Sequence, residues 1–278
     1  LCEMKIMPES NKPTKPKDSA SVLIIRDGEA HPRFGTLQIL MVKRHQKIKF
    51  AGGAYVFPGG KLDPADKALE EQDQKGADRD ISAEFRGLRY AALREVFEET
   101  GLIIGTKDGQ VIEESLRREL DRDYRDAILE DRMSLAEFLS QSGIILDMND
   151  CYPFAHWITP VAYPIRFDTR FFLCVAPKGQ EPTPDGHEIT DVEWMHPMTL
   201  VEESDGVLMF PTMMNLKMLG QAKSVQEALD LLAKRRIVTV TPEVIEGDKV
   251  RFRKIPEDAG YEEVDQTRTR AAIDLKKG

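Results

Sequence analysis

Residues 83–102 read AEFRGLRYAALREVFEETGL, and this stretch decides the fold. Its apolar positions recur with the period of an α-helix, with Leu93, Val96, Phe97 and Thr100 on one side and Gly101 where helices commonly stop. Each helical residue advances by about 100°, so Glu95, Glu98 and Glu99 at i, i+3 and i+4 project together from the other side. A solvated acidic face has the same spacing. Like charges so placed repel by a few tenths of a kcal/mol, however, and a bound cation reverses that penalty. Three carboxylates without a neighbouring His or Cys are hard oxygen ligands, suited to Mg²⁺ or Mn²⁺ rather than to zinc or copper. Arg94, four residues before Glu98, is spaced to pair with it. The expectation is a helix that exposes Glu98 to solvent.

Working outward, Ser21–Ile25 and Leu37–Val42 read as two strands joined by a turn around Asp27-Gly28. A third short apolar run, Ala54–Phe57, ends at Pro58-Gly59-Gly60, where a loop is expected. Residues 63–82 are highly charged without a clear apolar stripe, and read as a surface excursion with room for one short helical turn. Ser82 is a candidate cap for the helix that follows. Downstream, 111–142 reads as one or two amphipathic helices with Leu116, Leu120, Ile128, Leu129, Leu135, Phe138 and Leu139 as the buried positions. Trp157–Pro160, Thr169–Val175 and Asp191–Met195 return to strand composition. Near the end, Ser224 and Glu227 form a capping-box pattern before Ala228–Leu232, and 237–255 reads as a hairpin about Glu246-Gly247-Asp248.

The 278 residues carry a formal net charge of −9, which disfavours nucleic acid as a partner. No apolar run approaches the ~20 residues of a membrane span, so no membrane partner is expected. Cys2, Cys151 and Cys174 are odd in number and lack a C-x-x-C spacing, which fits reduced thiols in a cytoplasmic protein better than a disulfide framework or zinc site. The organisation expected is a flexible tail at 1–18, a main domain at 19–220 with an insertion at 63–82 and the helical segment 111–142, and a C-terminal extension at 221–278 made of a helix and a hairpin.

Gly60 followed by Arg94-Glu95-Val96-Phe97-Glu98-Glu99-Thr100-Gly101-Leu102 resembles the Nudix box, G-x5-E-x7-R-E-U-x-E-E-x-G-U with U aliphatic. The second half matches at every specified position. The family has 13 residues between its first Gly and its Arg, whereas Gly60 and Arg94 are separated by 33. An insertion therefore interrupts the box, and counting leaves both Asp66 and Glu84 open as the middle acidic residue. The resemblance implies an α+β fold, a Nudix-type α/β/α sandwich with a mixed β-sheet and a loop–helix–loop catalytic motif. It implies Mg²⁺ or Mn²⁺ as cofactor, held by Glu95, Glu98 and Glu99, with Glu98, Glu99 and Arg94 as catalytic residues. The reaction it implies is hydrolysis of a nucleoside diphosphate linked to another group.

Residues 40–60 are similar to the signature of coenzyme A diphosphatases, L-L-T-x-R-[SA]-x3-R-x3-G-x3-F-P-G-G. Leu40, Arg44, Gly53 and Phe57–Gly60 match; Met41, Val42, His45 and Lys49 depart. Trp157-x-Thr159-Pro160 and Arg166–Phe172 add to the likeness to the peroxisomal-type enzymes and their bacterial relatives, over about residues 19–220. Coenzyme A or acyl-CoA is thus the first substrate considered, bound through Arg44, Lys49, Gly59 and Gly60. ADP-ribose, NADH and dinucleotide polyphosphates are alternatives, as is a non-catalytic nucleotide sensor. The partner expected is a small-molecule nucleoside diphosphate derivative, and a homodimer is the assembly considered. Glu98, Glu99, Glu188 and Glu193 stay open as general base, while His187 and His196 receive no chemical role.

Overall fold

Val22, Leu23, Ile24 and Ile25 are all fully buried, which a strand achieves only when both faces of its sheet are covered. A computed structural model, describing residues 14–48, 52–73, 83–203, 208–246 and 251–261, shows how. In chain order the elements are β1 (Lys17–His31), β2 (Gly35–Arg44), β3 (Tyr55–Val56), β4 (Gly59–Lys61), α1 (Pro64–Asp73), α2 (Ala83–Thr100), β5 (Gly105–Lys107), β6 (Gln110–Val111) and α3 (Glu114–Leu120). After a π-helical stretch, Asp121–Arg125, come α4 (Asp126–Leu129), α5 (Leu135–Ser142), β7 (Ile144–Leu146), β8 (Tyr152–Ile158), β9 (Phe167–Val175) and β10 (Ile189–Met195). The chain continues through α6 (Pro197–Glu203), α7 (Phe210–Leu219), α8 (Val225–Lys234), β11 (Thr239–Val240), β12 (Glu243–Glu246) and β13 (Arg251–Lys254).

The main sheet is mixed, in the order β10-β2-β1-β9-β8-β11, with β3 joined to β2 and β4 to β1. β1 runs parallel to β9 and antiparallel to β2 and β4. Side chains alternate along β1. Ala20, Val22 and Ile24 meet Ala91, Ala92, Leu93 and Val96 of α2, whereas Leu23 and Ile25 meet Leu200 of α6, Met214 and Leu216 of α7 and Ala228 of α8. Helices on both faces of a mixed sheet make the expected α/β/α sandwich.

The catalytic-motif helix α2 is enclosed more fully than its sequence suggests. Its Phe97 and Tyr90 point away from the sheet into a third apolar cluster with Leu69 of α1, Leu120 of α3, Ile128 of α4 and Phe138 of α5. Phe97 stacks on Phe138 at 5.0 Å between ring centroids. α2 is thus apolar on two sides, and only the narrow sector of its glutamates borders the site.

Several sequence expectations are corrected. The β1–β2 turn lies at 32–34, not at Asp27-Gly28; register shifts between Asp27, opposite Leu37, and His31, opposite Gly35. Asp27 does not turn the chain because its carboxylate is engaged elsewhere, accepting from Thr36 Oγ1 at 2.6 Å and from Val225 N–H at the start of α8 at 3.1 Å. Gly59-Gly60 lie in a strand rather than a loop, and β1 already begins at Lys17, inside the expected tail. The excursion at 63–82 holds the ten-residue α1, whose Asp66 and Leu69 are buried; residues 74–82, with the candidate cap Ser82, fall outside the described residues. Segment 111–142 forms three short α-helices and a π-helical stretch rather than one or two helices. Of the capping box before α8, Ser224 accepts from Glu227 N–H, but the Glu227 carboxylate takes the N–H of Lys223 instead of closing on Ser224.

The hairpin near the C-terminus pairs Glu243–Glu246 with Arg251–Lys254; residues 247–250 are outside the described residues. β11 adds a parallel strand beside β8, and Ala228, Val240, Ala259 and Tyr261 share the core beneath α7. Among the described residues no helix is long and apolar enough to cross a membrane.

Candidate active site

The site is assembled where β4 runs beside β1 under the last turns of α2. Gly59 pairs with Ser21 and Gly60 with Ala20. A Cβ on Gly59 would lie 2.3 Å from the Ala20 carbonyl oxygen, so only glycine allows the two backbones this close. A Cβ on Gly60 would meet the Glu95 carboxylate at 2.1 Å. The bare backbone lets both acidic side chains settle onto the strand: Glu95 lies over Gly60, and Glu99 accepts the Gly59 N–H at 2.9 Å. The sequence motif therefore encodes a close approach between strand and helix.

Arg94 is the hub of the acidic cluster. Its Nε and Nη2 donate to the two oxygens of Asp66 at 3.2 Å each, Nη2 also donates to the Lys61 carbonyl at 3.0 Å, and Nη1 reaches both Glu98 oxygens at 3.0 Å. Glu95 approaches Nη1 at 3.1 Å. Asp66, fully buried, also accepts the Asp63 N–H at 2.9 Å. Asp66, one of the two residues open as the middle acidic member of the motif, is joined to Arg94 and falls six residues after Gly60 as the uninterrupted pattern requires; the side chain of Glu84 is outside what the structure describes. The insertion thus follows Asp66.

Glu98 is not solvent-exposed as expected, and its acidic neighbours are covered as well. The Glu95 and Glu98 side chains are each 13% exposed, and Glu99 is buried. Burial pushes the Glu95 carboxyl up to about 8; Arg94 pulls it back and Glu98 adds to the rise. Glu98 is raised by burial against the pull of Arg94. Glu99 is raised well above the usual range by burial and by Glu95, while the Gly59 N–H and Arg44 act the other way. Arg94 loses basicity through burial but gains more from Glu95, Glu98 and Asp66, so it stays firmly charged. One guanidinium cannot neutralise four ionised carboxylates, so their protons are held more tightly than usual, and a divalent cation can take the place of those protons in this confined, oxygen-only site. Glu95 and Glu98 are drawn onto Arg94, and among the described residues no three His, Cys, Asp or Glu side chains already converge as a finished metal cage. A cation there must compete with the guanidinium for those oxygens.

Arg44, from the end of β2, faces this cluster. Its Nη2 bonds Glu188 at 3.0 Å, and both residues act on Glu99, Arg44 favouring its charge and Glu188 opposing it. The Arg44 Nε is buried without a partner, a donor available to an anionic group. Lys49, the other basic residue of the motif, lies outside the described residues. Glu193 is held by the Tyr55 hydroxyl at 2.7 Å, and His196 Nδ1 lies 2.9 Å from the Leu37 carbonyl, so neither joins the cluster. Arg170 lies over the Phe85 ring near the start of α2. Sequence reasoning missed Asp185, whose carboxylate collects the N–H groups of His187, Glu188 and Ile189 and thereby sets Glu188 toward Arg44. The Asp185-Gly186 turn signal was the available clue. It also missed Arg125, discussed below.

The family model of the NUDT19 Nudix domain matches residues 67–211, just over half of the chain. A nudix hydrolase 7 of Caenorhabditis elegans is 31% identical over 171 residues, 61% of this chain and 50% of its own length. The acyl-coenzyme A diphosphatase NUDT19 of Xenopus laevis is 24% identical over 206 residues, covering 60% and 54%. The chain spans about half the length of these curated relatives. Among solved structures, a NUDIX hydrolase from Alicyclobacillus acidocaldarius has a TM-score of 0.64 at 28% identity, over 78% of this chain and 96% of that one. The family match begins at Lys67, so the union of Gly59, Gly60 and Asp66 with the α2 glutamates is a matter of geometry alone.

Proposed function

The chain belongs to the family of the NUDT19 Nudix domain, and on that premise we propose that it hydrolyses the diphosphate linkage of a nucleoside diphosphate derivative. The observation that carries this reading is the acidic end of α2 seated on the Gly59-Gly60 strand, with Glu99 fixed by a backbone N–H and Glu95 and Glu98 gathered around Arg94. Nudix hydrolases generally use divalent metals, and Glu95, Glu98 and Glu99 are the residues that would hold Mg²⁺ or Mn²⁺. Such an ion, when bound, lowers the pKa of water and stabilises charge on phosphate oxygens.

The chain's own residues supply the rest. Glu98 or Glu99, whose carboxyls burial makes more basic than usual, is the group to accept a proton from the attacking water. Arg94 orients the Glu98 carboxylate through two hydrogen bonds. Arg44, with an unpartnered Nε, is placed to hold a phosphate oxygen. Water adds to one phosphorus of the diphosphate, the bridging P–O bond breaks, the proton passes to the base, and each product keeps one of the two phosphoryl groups that the bridge had joined.

Coenzyme A or acyl-CoA is the first substrate, giving 3′,5′-ADP and phosphopantetheine or its acyl thioester; the Arg44 motif and the likeness to the acyl-coenzyme A diphosphatase of Xenopus laevis support it. The test is product identification with Mn²⁺ on coenzyme A, acetyl-CoA, ADP-ribose, NADH and diadenosine tetraphosphate. Release of 3′,5′-ADP is the expected result. Cleavage of ADP-ribose, NADH or the dinucleotide with coenzyme A untouched moves the substrate assignment, and binding without cleavage of any of them makes the protein a nucleotide sensor.

A further inference from the structure

The last turn of an α-helix leaves carbonyls without helical donors. At the end of α2 two arginines from outside the motif supply them. Arg125 Nε donates to the Glu98 carbonyl at 2.9 Å, and Arg117 Nη1 to the Gly101 carbonyl at 3.3 Å. Both guanidinium groups are buried, Arg125 at 5% exposure. Arg125 reaches further: Nη2 donates to the Thr183 carbonyl at 2.9 Å, and Nη1 to Thr183 Oγ1 at 3.2 Å and Asp121 Oδ1 at 3.3 Å. Thr183 N–H in turn donates to the Thr100 carbonyl at 2.8 Å.

These contacts join the acidic turn of α2 to the segment that runs through Asp185 to Glu188, partner of Arg44. The π-helical stretch Asp121–Arg125 explains how one helix presents both arginines. A four-residue step on an α-helix overshoots a full turn by about 40°, which would rotate Arg125 away from the line of Arg117 and Asp121. The wider π turn cuts that overshoot and lets Asp121 bind both, at 3.2 and 3.3 Å.

We propose that Arg125 is a positioning residue: its fork locks the Glu98–Glu99 turn of α2 to the loop carrying Glu188, so that the carboxylates and the Arg44–Glu188 pair meet cation and substrate in one fixed geometry. The proposal rests on reading the α2 glutamates as cation ligands. It gives a charged, buried residue with four acceptors on three residues a role that a lysine, with one compact head group, fills only in part.

The experiment measures binding of Mn²⁺ alone, by loss of the free-ion paramagnetic resonance signal, in the wild-type chain and in Arg125→Ala, Arg125→Lys, Glu98→Gln and the exposed control Arg118→Ala. Groups that orient metal ligands typically contribute about tenfold or more to affinity. The expected result is about that loss in Arg125→Ala, a smaller loss in Arg125→Lys, partial recovery of Arg125→Ala with millimolar guanidinium ion, and none of these in Arg118→Ala. If Arg125→Ala does not fold, Arg125→Lys carries the comparison. Wild-type affinity in a folded Arg125 variant, with Glu98→Gln impaired, overturns the proposal alone. Unchanged affinity in Glu98→Gln, or no Mn²⁺ binding by the wild type, overturns both this proposal and the ligand reading beneath it.

Discussion

Gly59 donates its backbone N–H to the Glu99 carboxylate at 2.9 Å, tying residues 40 positions apart. Adjacent Gly60 lies under Glu95 in the same strand, yet the two glycines are required for different reasons.

Alanine at each position separates those reasons. At Gly59 the added Cβ would strike backbone, the Ala20 carbonyl oxygen at 2.3 Å and Ser21 Cα at 2.7 Å, so the β1–β4 pairing itself must move. Gly59→Ala is expected to cost about 1–3 kcal/mol of stability, in the range of overpacked interiors. At Gly60 the obstacle is the Glu95 carboxylate, the far end of a flexible side chain. Gly60→Ala is expected to unfold near the wild-type temperature while losing Mn²⁺ affinity and activity. Thermal denaturation beside a metal titration checks both; equal destabilisation by the two alanines would contradict the distinction.

The raised carboxyls make the metal-free protein pH-sensitive in a defined direction. Glu95 titrates near 8 when folded against an ordinary value of 4.5, and Glu98, Glu99 and Asp66 are shifted the same way by burial. Between those values the folded state holds more protons than the unfolded one, so stability falls as pH rises from about 4.5 through 8. Glu114, lowered to about 2 by Arg117, has the opposite sign, but its contribution is lost only as pH falls below the ordinary value toward 2. Melting curves without metal should therefore decline across pH 5–8. Added Mn²⁺ should stabilise more at pH 8 than at pH 6, because a cation must displace the protons. Glu99→Gln should flatten the decline; a slope unchanged in that variant would count against burial of Glu99 as its source.

How much of this was legible in sequence depends on how local the determining contacts are. The α2 period and its glutamate spacing are short-range patterns, and both reappear in the structure, whereas Gly59-Gly60, which read as a break, continue as strand β4. The burial of those glutamates was not legible, because they settle on a strand some 40 residues upstream, Glu99 on the Gly59 N–H and Glu95 over Gly60, and no helical period reveals that long-range approach. Asp66 could not be placed by counting across an insertion; only its bidentate contact with Arg94 distinguishes it. Asp27-Gly28 had turn composition but served another purpose, since Asp27 binds the start of α8, nearly 200 residues away.

The C-terminal segment is held by a buried polar chain that a single atom can break. Trp157 Nε1 donates to the Tyr261 hydroxyl at 3.1 Å, and that hydroxyl donates to Asn215 Oδ1 at 2.7 Å, with Tyr261 only 1% exposed. Tyr261→Phe keeps the ring and leaves a buried donor and a buried acceptor without partners, at a cost of about 1–3 kcal/mol. For a chain of this size that is a fall of several degrees in Tm, at about 2–4 °C per kcal/mol. Because this contact lies in the core beneath α7 rather than among the α2 carboxylates, Mn²⁺ affinity should stay at the wild-type value. An unshifted melting temperature would show that the segment contributes nothing to the core.

Arg44, beside Glu99, is held by the loop glutamate Glu188, and the pair is unequal: the Arg44 side chain is 17% exposed and that of Glu188 is 59%. An exposed partner contributes little to stability, so Glu188→Gln should leave the melting temperature within a degree or so. It should also relieve the repulsion that Glu188 exerts on Glu99, lowering the Glu99 carboxyl and shifting the acid limb of the kcat profile to lower pH. Arg44→Lys removes the buried Nε donor and the planar fork while keeping a charge, and should raise KM for a diphosphate substrate by about tenfold with a smaller change in kcat. Steady-state kinetics across pH 5–9 on both variants reads these effects separately. A Glu188→Gln variant without turnover and with normal Mn²⁺ affinity would instead assign proton transfer to Glu188, and Arg44 would then be the group that restrains that base until a phosphate displaces it.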